Sequence, residues 1–178
     1  LYTNVVTTDD LGDEFYSKII HTSSGNRVCL EQGSDYDVTI ESDNSNAGQT
    51  WQFNRQSDGS YTIMNRGNGH YLNVRSDKIV NTHGKEASGF LDSQRWFIYL
   101  KEGSYVVRSV AYPDCLLSLE NGTTEPGTNL CAGATTCSDA QLFSIDDNKC
   151  GTVAATNGIG VTDEQMEVYR NIMYAVET

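Results

Sequence analysis

The sequence predicts an all-β fold built from three repeats related by pseudo-threefold symmetry. A Gln-x-aromatic element occurs three times, and apolar and polar residues alternate after each copy. Period-two alternation is typical of strands with one buried face. The chain of 178 residues contains 16 Gly and 10 Tyr but only 2 Pro. This composition favours short strands joined by tight turns.

The three copies of the element occur at a nearly constant spacing. They are Gln49-Thr50-Trp51, Gln94-Arg95-Trp96 and Gln141-Leu142-Phe143. A fixed period of this length indicates that the chain repeats one structural unit. The repeat therefore organises the whole domain.

The first two copies each lead into a predicted β-hairpin. Apolar alternation after Trp51 stops at Asp58-Gly59 and resumes at Tyr61, and the second repeat turns in the same way at Glu102-Gly103. Asp-Gly and Glu-Gly between alternating runs are typical of hairpin turns. Each repeat therefore ends in a strand that turns directly into the first strand of the next repeat.

The strand after the third copy needs a partner from the beginning of the chain. We expect it to pair with the opening strand around Phe15 to His21, where Tyr16 takes the place of Tyr61 and Tyr105. This pairing closes a ring of three units and removes exposed strand edges. Three units are too few for a propeller, which needs about four to eight blades.

Three Gln-x-Trp/Phe elements in register resemble the ricin-type (R-type, QxW) β-trefoil lectin family. The stretch from Tyr61 to Val74 is also similar to the sequence motif with which a lobe begins in that family. The resemblance covers residues 15–147, with lobes at about 15–56, 57–101 and 102–147, and implies twelve strands. It also implies structural roles for the residues of the three elements, which are Gln49, Trp51, Gln94, Trp96, Gln141 and Phe143.

The resemblance implies a carbohydrate-binding lectin or lectin-like domain without catalytic activity. The formal net charge of −12 argues against nucleic acid and anionic membranes as partners. The sequence contains no HExxH, GxSxG, Walker or GxGxxG motif. We predict glycans or glycoproteins as partners, and neither a metal nor a cofactor. Two alternatives stay open, a β-trefoil protease inhibitor and the receptor- or glycan-binding part of a toxin or larger enzyme.

The sugar-binding positions implied by the family are substituted in all three lobes. The family's Asp falls at Cys29, Asn73 and Ser118, and its aromatic residue falls near Thr39, His83 and Asn129. The second lobe keeps the most hydrogen-bonding groups, and the first lobe has an aromatic residue between two carboxylates, which suits a sugar or a Ca²⁺-assisted contact. The sugar-binding candidates are Asn73, Asn81, His83, Asp92, Asp35, Tyr36 and Asp37. The alternative interpretation of these residues is a solvated acidic loop and a surface histidine.

The cysteines and one sequon predict a secreted, extracellular protein. The resemblance implies a disulfide within the third lobe between Cys115 and Cys131, with Cys137 and Cys150 as further disulfide candidates and Cys29 left over. Disulfides are typical of oxidising compartments. Asn121 begins an Asn-Gly-Thr glycosylation sequon. A chain that begins with Leu instead of Met is also expected of a processed protein.

Residues 148–178 are predicted to form a linker and an amphipathic C-terminal helix. Thr162-Asp163-Glu164-Gln165 has the form of a capping box. The residues that follow at helical spacing are Met166, Tyr169, Ile172, Met173 and Val176. They give one apolar face. We expect this face to dock on the three-lobed domain near its N-terminal strand, or to form a homodimer or partner contact.

Overall fold

The computed structural model describes residues 5–6, 11–31 and 36–145. Over these residues the chain forms fourteen strands. They are β1 Val5–Val6, β2 Glu14–Ser17, β3 Ile19–His21, β4 Arg27–Leu30, β5 Val38–Glu41, β6 Trp51–Arg55, β7 Tyr61–Asn65, β8 Tyr71–Val74, β9 Val80–His83, β10 Trp96–Lys101, β11 Ser104–Ser109, β12 Cys115–Leu119, β13 Leu130–Ala134 and β14 Phe143–Ile145. The predicted linker and C-terminal helix lie outside the described residues.

Six strand segments form a closed barrel in which β2 and β3 act as one opening segment. The order around the ring is β2, β6, β7, β10, β11, β14 and β3. The opening segment closes the ring because Phe15 pairs with Phe53 on one side and His21 pairs with Phe143 on the other. The predicted pairing of the third repeat with the beginning of the chain is therefore confirmed.

The register of the opening strand differs from the prediction by one residue. Tyr61 pairs with Trp96, and Tyr105 pairs with Phe143. The corresponding partner of Trp51 is Ser17 and not Tyr16. A shift of one residue turns a side chain to the opposite face of a strand. Tyr16 consequently lies on the outside of the barrel, where the Arg66 guanidinium sits 4.5 Å from its ring centroid.

The two predicted hairpin turns are present. Lys101 pairs with Ser104 across Glu102 and Gly103, whose φ angles are 51° and 84°. Two consecutive residues at positive φ give the twist that a two-residue hairpin needs. At the other turn, Arg55 pairs with Tyr61, and Gly59 has a φ of 89°.

Three further hairpins cap one end of the barrel, one from each lobe. They are β4–β5, β8–β9 and β12–β13. Single bridges join them in a cycle, and these bridges link Asp37 with Asn81, Ile79 with Cys131, and Asn129 with Thr39. Residues 39, 81 and 131 are therefore equivalent in the three lobes.

The core lies inside the barrel and beneath the three capping hairpins. Trp51, Trp96 and Phe143 are fully buried. Phe15 and Phe53 stack with ring centroids 4.7 Å apart. Full burial of one large aromatic side chain contributes on the order of 2–3 kcal/mol, so these residues supply much of the stability of the barrel.

Candidate ligand-binding sites

The glutamine of each repeat fixes the strand that returns from its capping hairpin. The Nε2 groups of Gln49, Gln94 and Gln141 donate to the carbonyl oxygens of Ser42, Gly84 and Ala134 at 2.7, 2.8 and 2.8 Å. All three glutamines are buried. A hydrogen bond of this kind contributes about 0.5–1.5 kcal/mol to stability.

The two indoles mark equivalent positions in the first and second lobes. Trp51 Nε1 donates to the Val28 carbonyl at 2.9 Å, and Trp96 Nε1 donates to the Leu72 carbonyl at 3.0 Å. The next residues along these strands are Cys29 and Asn73, the positions at which the resemblance implies the family's Asp.

Cross-strand pairing shows what faces these positions. Cys29 pairs with Thr39, Asn73 with Asn81, and Ser118 with Cys131. The expected aromatic positions near His83 and Asn129 are each two residues from these partners. Two residues along a strand keep the same face but move the side chain by roughly 7 Å. None of the three facing residues is aromatic.

The first lobe has a small acidic hollow of about 210 Å³. Its lining residues are Cys29, Leu30, Glu31, Glu41, Asn44 and Asn46. Thr39 Oγ1 donates to Glu41 Oε1 at 2.9 Å, which positions that carboxylate. Burial raises the pKa of the Cys29 thiol, and the neighbouring Glu41 carboxylate raises it further. Sequence reasoning missed Glu41, Asn44 and Asn46, although the polar run before Gln49 is visible in the sequence.

The four second-lobe candidates do not form one site. Asn73 is 8% exposed, and its Nδ2 donates to Asn81 Oδ1 at 2.9 Å. His83 Nε2 lies 2.8 Å from Glu86 Oε1. Asp92 instead forms an ion pair with Arg95. Asp92 is thus engaged in a surface ion pair and is not grouped with the two asparagines.

A larger groove of about 390 Å³ lies between the first and second lobes. Its lining residues are Tyr36, His70, Asn81, Thr82, His83 and Gly84. The Tyr36 and His70 rings stack, with centroids 5.5 Å apart and planes inclined by 16°. Tyr36 is 51% exposed. The groove brings together three of the predicted candidates from two lobes and adds His70, which sequence reasoning missed.

Asp37, the other described member of the acidic run, is not among the residues that line the groove. Asp37 is exposed and contributes its backbone to the bridge with Asn81. Asp35 lies outside the described residues. Within the described part of the chain, no three His, Cys, Asp or Glu side chains are grouped closely enough to hold a metal ion.

In the third lobe the chain packs closely around Ser118, which the register makes the counterpart of Cys29. Gln141 Nε2 donates to Ser118 Oγ at 2.9 Å. A Cβ atom at Gly133 would lie 2.6 Å from the same oxygen. The glycine therefore allows the two strands and the serine to pack closely.

The predicted disulfide between Cys115 and Cys131 is wrong. Both thiols are free, and the register pairs Cys115 with Ala134 and Cys131 with Ser118. The two cysteines are thus offset by three residues along the hairpin, which corresponds to roughly 10 Å and to opposite faces. A disulfide requires Cα atoms less than about 7 Å apart. Cys137 is also a free thiol, and Cys150 lies outside the described residues.

The sequon lies in a tight turn of the third lobe. Asn121 is exposed and has a φ of 56°. Its side chain is therefore in a position that an enzyme can reach.

Among the described residues, no helix has the length and apolar character needed to cross a bilayer.

The closed barrel, its three capping hairpins and their cyclic bridges define a β-trefoil protein. The profile of the family described as "Ricin-type beta-trefoil lectin domain-like" matches residues 6–86, which include the first lobe and most of the second. The resemblance inferred from the three Gln-x-Trp/Phe elements is thereby confirmed. Curated protein sequences give no significant match.

Solved structures show the same fold. The chain is similar to the designed threefold-symmetric protein ThreeFoil, at 23% identity and a TM-score of 0.67 over 74% of this chain and 98% of that chain. A ricin B-like lectin of Macrolepiota procera in complex with lactose is 21% identical, with a TM-score of 0.64 over 74% and 94%. A mosquitocidal holotoxin is 23% identical, with a TM-score of 0.68 over 78% of this chain and 18% of that one. At these identities the likeness establishes the β-trefoil fold.

Proposed function

We propose that this domain binds carbohydrate in the groove between its first and second lobes. The observation that carries the proposal is the exposed ring of Tyr36, which is stacked on His70 at the edge of a groove lined by amide, hydroxyl and imidazole groups. Similarity to a lectin-like family, and to a lectin solved with lactose, supports this class of ligand.

The chemistry of the groove suits a saccharide ring. An aromatic ring can cover the apolar C–H face of a sugar, while polar groups beside it bond the hydroxyls. Asn81 Oδ1 accepts from Asn73, which leaves the Asn81 Nδ2 group to donate to a sugar oxygen. The exposed pair of His83 and Glu86 supplies a further donor and acceptor at the rim.

The acidic hollow of the first lobe is a second candidate for the binding site. It includes Cys29, where the resemblance implies the family's Asp, and Glu31 and Glu41 offer carboxylates to a ligand there. Carboxylates accept strong hydrogen bonds from paired hydroxyls. The residues that line the hollow include no aromatic ring, so we favour the groove as the carbohydrate-binding site.

A glycan array probed with the labelled domain at two concentrations tests the proposal. We expect selective signal on a related set of glycans, with competition by the free terminal sugar. A blank array from protein with a native circular-dichroism spectrum would contradict carbohydrate binding. The protease-inhibitor alternative would then be tested by stoichiometric titration against a panel of proteases.

We propose that binding is not accompanied by catalysis. The similarity to a lectin-like family supports the absence of catalysis. An exo-β-1,3-galactanase of Clostridium thermocellum is also similar in structure, but the match covers 30% of that chain. Incubation of each array hit with the domain, followed by mass spectrometry of the glycan, is expected to return the glycan intact. Release of a shorter product would contradict the proposal.

The domain could also serve as the glycan-binding part of a larger protein, as the second candidate function. The match to a mosquitocidal holotoxin, where it spans 18% of that chain, supports this assignment. Co-purification of a larger partner with the domain would favour it over an independent lectin.

We further propose an extracellular location. With the Cys115–Cys131 disulfide excluded, this proposal rests on the exposed sequon at Asn121. Expression through a eukaryotic secretory pathway is expected to give a product whose mass falls on treatment with an N-glycosidase. An Asn121→Gln variant should lack that shift, and an unglycosylated wild-type product would remove the support from the sequon.

A further inference from the structure

Two residues of the second lobe connect the two rings that stack at the groove. Asn68 lies in the turn between β7 and β8, and Thr82 lies in β9. The backbone N–H of His70 donates to Asn68 Oδ1 at 2.9 Å. Asn68 Nδ2 donates to Thr82 Oγ1 at 3.0 Å, and Thr82 Oγ1 donates to the Tyr36 carbonyl at 3.2 Å. We call this path from His70 to Tyr36 the Asn68–Thr82 relay.

The donors and acceptors of the relay fix its direction. Asn68 Oδ1 accepts from the His70 N–H, so the amide nitrogen of Asn68 is the atom that faces Thr82. A hydroxyl can accept at its oxygen while it donates its one proton. Because Thr82 accepts from Asn68, its proton is directed to the Tyr36 carbonyl. A change at either side chain therefore alters a hydrogen bond to the backbone of Tyr36.

The other two lobes show that the fold does not need the relay. The bridges between the capping hairpins make Thr82 equivalent to Ala132 and Ile40. All three residues donate a backbone N–H to the equivalent carbonyl of a neighbouring lobe, at 2.7, 2.8 and 2.9 Å. Alanine and isoleucine have no side-chain group that could add a second hydrogen bond. The added hydroxyl occurs at the lobe boundary where Tyr36 stacks on His70.

Burial separates the role of Thr82 from that of Tyr36. Thr82 is 1% exposed although it lines the groove, whereas the Tyr36 side chain is largely open to solvent. The Thr82 hydroxyl is already engaged by Asn68 on one side and by the Tyr36 carbonyl on the other. A ligand in the groove therefore meets the ring of Tyr36, and Thr82 acts on that ligand through the placement of the ring.

We propose that Asn68 and Thr82 are positioning residues that hold Tyr36 and His70 in the stacked arrangement that receives the glycan. The inference rests on the proposed binding of carbohydrate in this groove. A surface that is ordered before binding reduces the entropy lost when the ligand arrives. Loss of one hydrogen bond from the relay should weaken glycan binding by about two- to tenfold.

Removal of the Thr82 hydroxyl tests the relay both with and without a ligand. Thr82→Val keeps the branched shape and the backbone N–H that bonds the Tyr36 carbonyl. We expect the imidazole protons of His70 to lose part of the upfield nuclear magnetic resonance shift that the Tyr36 ring causes. Tyr36→Ala gives the reference shift for an absent ring. Isothermal titration calorimetry with the glycan selected by the array should show the loss of affinity.

Two further variants separate positioning from a general effect on packing. Thr82→Ser retains a hydroxyl and is expected to restore both the His70 shift and the affinity. Thr62→Val is the matched control, because Thr62 is also fully buried and its hydroxyl accepts from the side-chain amide of Gln56 at 3.3 Å. The control should change neither measurement. An unchanged His70 shift in folded Thr82→Val, or an equal change in Thr62→Val, would overturn the proposal.

Asn68→Asp tests the other half of the relay. The carboxylate can still accept from the His70 N–H, but it has no proton for Thr82 and draws the Thr82 hydroxyl away from Tyr36. We expect this variant to reproduce the effect of Thr82→Val and the double variant to show no further loss, since both changes break one path. Additive losses would overturn the relay. If the unmodified domain binds no glycan, carbohydrate binding fails, and the His70 shifts by themselves support or overturn the relay.

Discussion

Tyr36 of the first lobe stacks on His70 of the second lobe, with ring centroids 5.5 Å apart. The backbone of Tyr36 is also fixed by the second lobe, because the backbone N–H of Thr82 donates to the Tyr36 carbonyl at 2.7 Å. The ring that offers a surface to a ligand is thus positioned by a neighbouring lobe. The groove exists only when the two lobes are assembled.

Substitution Tyr36→Ala is expected to weaken binding of the glycan identified by the array by about tenfold, or about 1.4 kcal/mol. The reason is that it removes the exposed ring and leaves the core intact. Isothermal titration calorimetry measures the change. Tyr16→Ala is the matched control, since Tyr16 is a half-buried tyrosine on the outside of the barrel. Equal affinities for both variants and the wild type would exclude the groove and direct attention to the acidic hollow.

Glu41→Gln is expected to speed alkylation of Cys29 at a fixed mildly alkaline pH. Burial and the Glu41 carboxylate both raise the pKa of the Cys29 thiol, and the thiolate is the reacting form. Removal of the negative charge lowers that pKa and increases the thiolate fraction. Iodoacetamide labelling followed by peptide mass spectrometry gives the rate, with Glu31→Gln as the control in the same hollow.

The same raised pKa predicts a loss of stability at alkaline pH. In the unfolded chain Cys29 releases its proton near the ordinary thiol pKa of about 8.5, whereas the folded protein still holds it. The contribution of this thiol to stability is therefore complete below that value and falls as pH rises above it. Urea denaturation across this range should show a smaller decline for Cys29→Ser than for the wild type.

Gly133→Ala is expected to lower the free energy of unfolding by about 1–3 kcal/mol, as overpacking of a filled site does. The added Cβ would lie 2.6 Å from Ser118 Oγ, which is held by Gln141 and by the Leu116 carbonyl. Gly84→Ala is the control, because the nearest atom to its added Cβ is 3.8 Å away. Equal urea midpoints for the two variants would show that the third lobe can adjust.

Cys115 and Cys131 are expected to react as free thiols. Differential alkylation before and after reduction should label both at the first step once the protein is unfolded. Reductant should leave the melting temperature unchanged, since the described part of the chain holds no disulfide. Recovery of a peptide pair linked through these two cysteines would contradict the register of β12 and β13.

The closed barrel was predictable because its signals are local. Apolar alternation around Trp51 and Trp96 selects the buried face of each strand, and Asp58-Gly59 and Glu102-Gly103 dictate where each strand reverses. Three repeats of one unit then leave the opening strand as the partner for the last. The predicted position of Tyr16 was wrong by one residue because the opening strand is interrupted at Lys18, and alternation alone does not fix the register across such a break.

The candidate site was only partly predictable. Tyr36, Asn81 and His83 were selected one lobe at a time, and His70 carries no local signal that sets it apart from a surface histidine. Likewise, Cys115 and Cys131 look like a pair along the chain, but their offset depends on the hairpin register.

The amino-acid sequence by itself determined the repeat, the turns of the two barrel hairpins and the buried face of their strands, because alternation and turn chemistry act over a few neighbouring positions. Only the tertiary structure decided which lobes share a groove and which thiols stay apart. These outcomes depend on the register between strands and on the contacts between lobes. Both are set by how the three units pack around one axis, a property of the assembled barrel and of no single repeat.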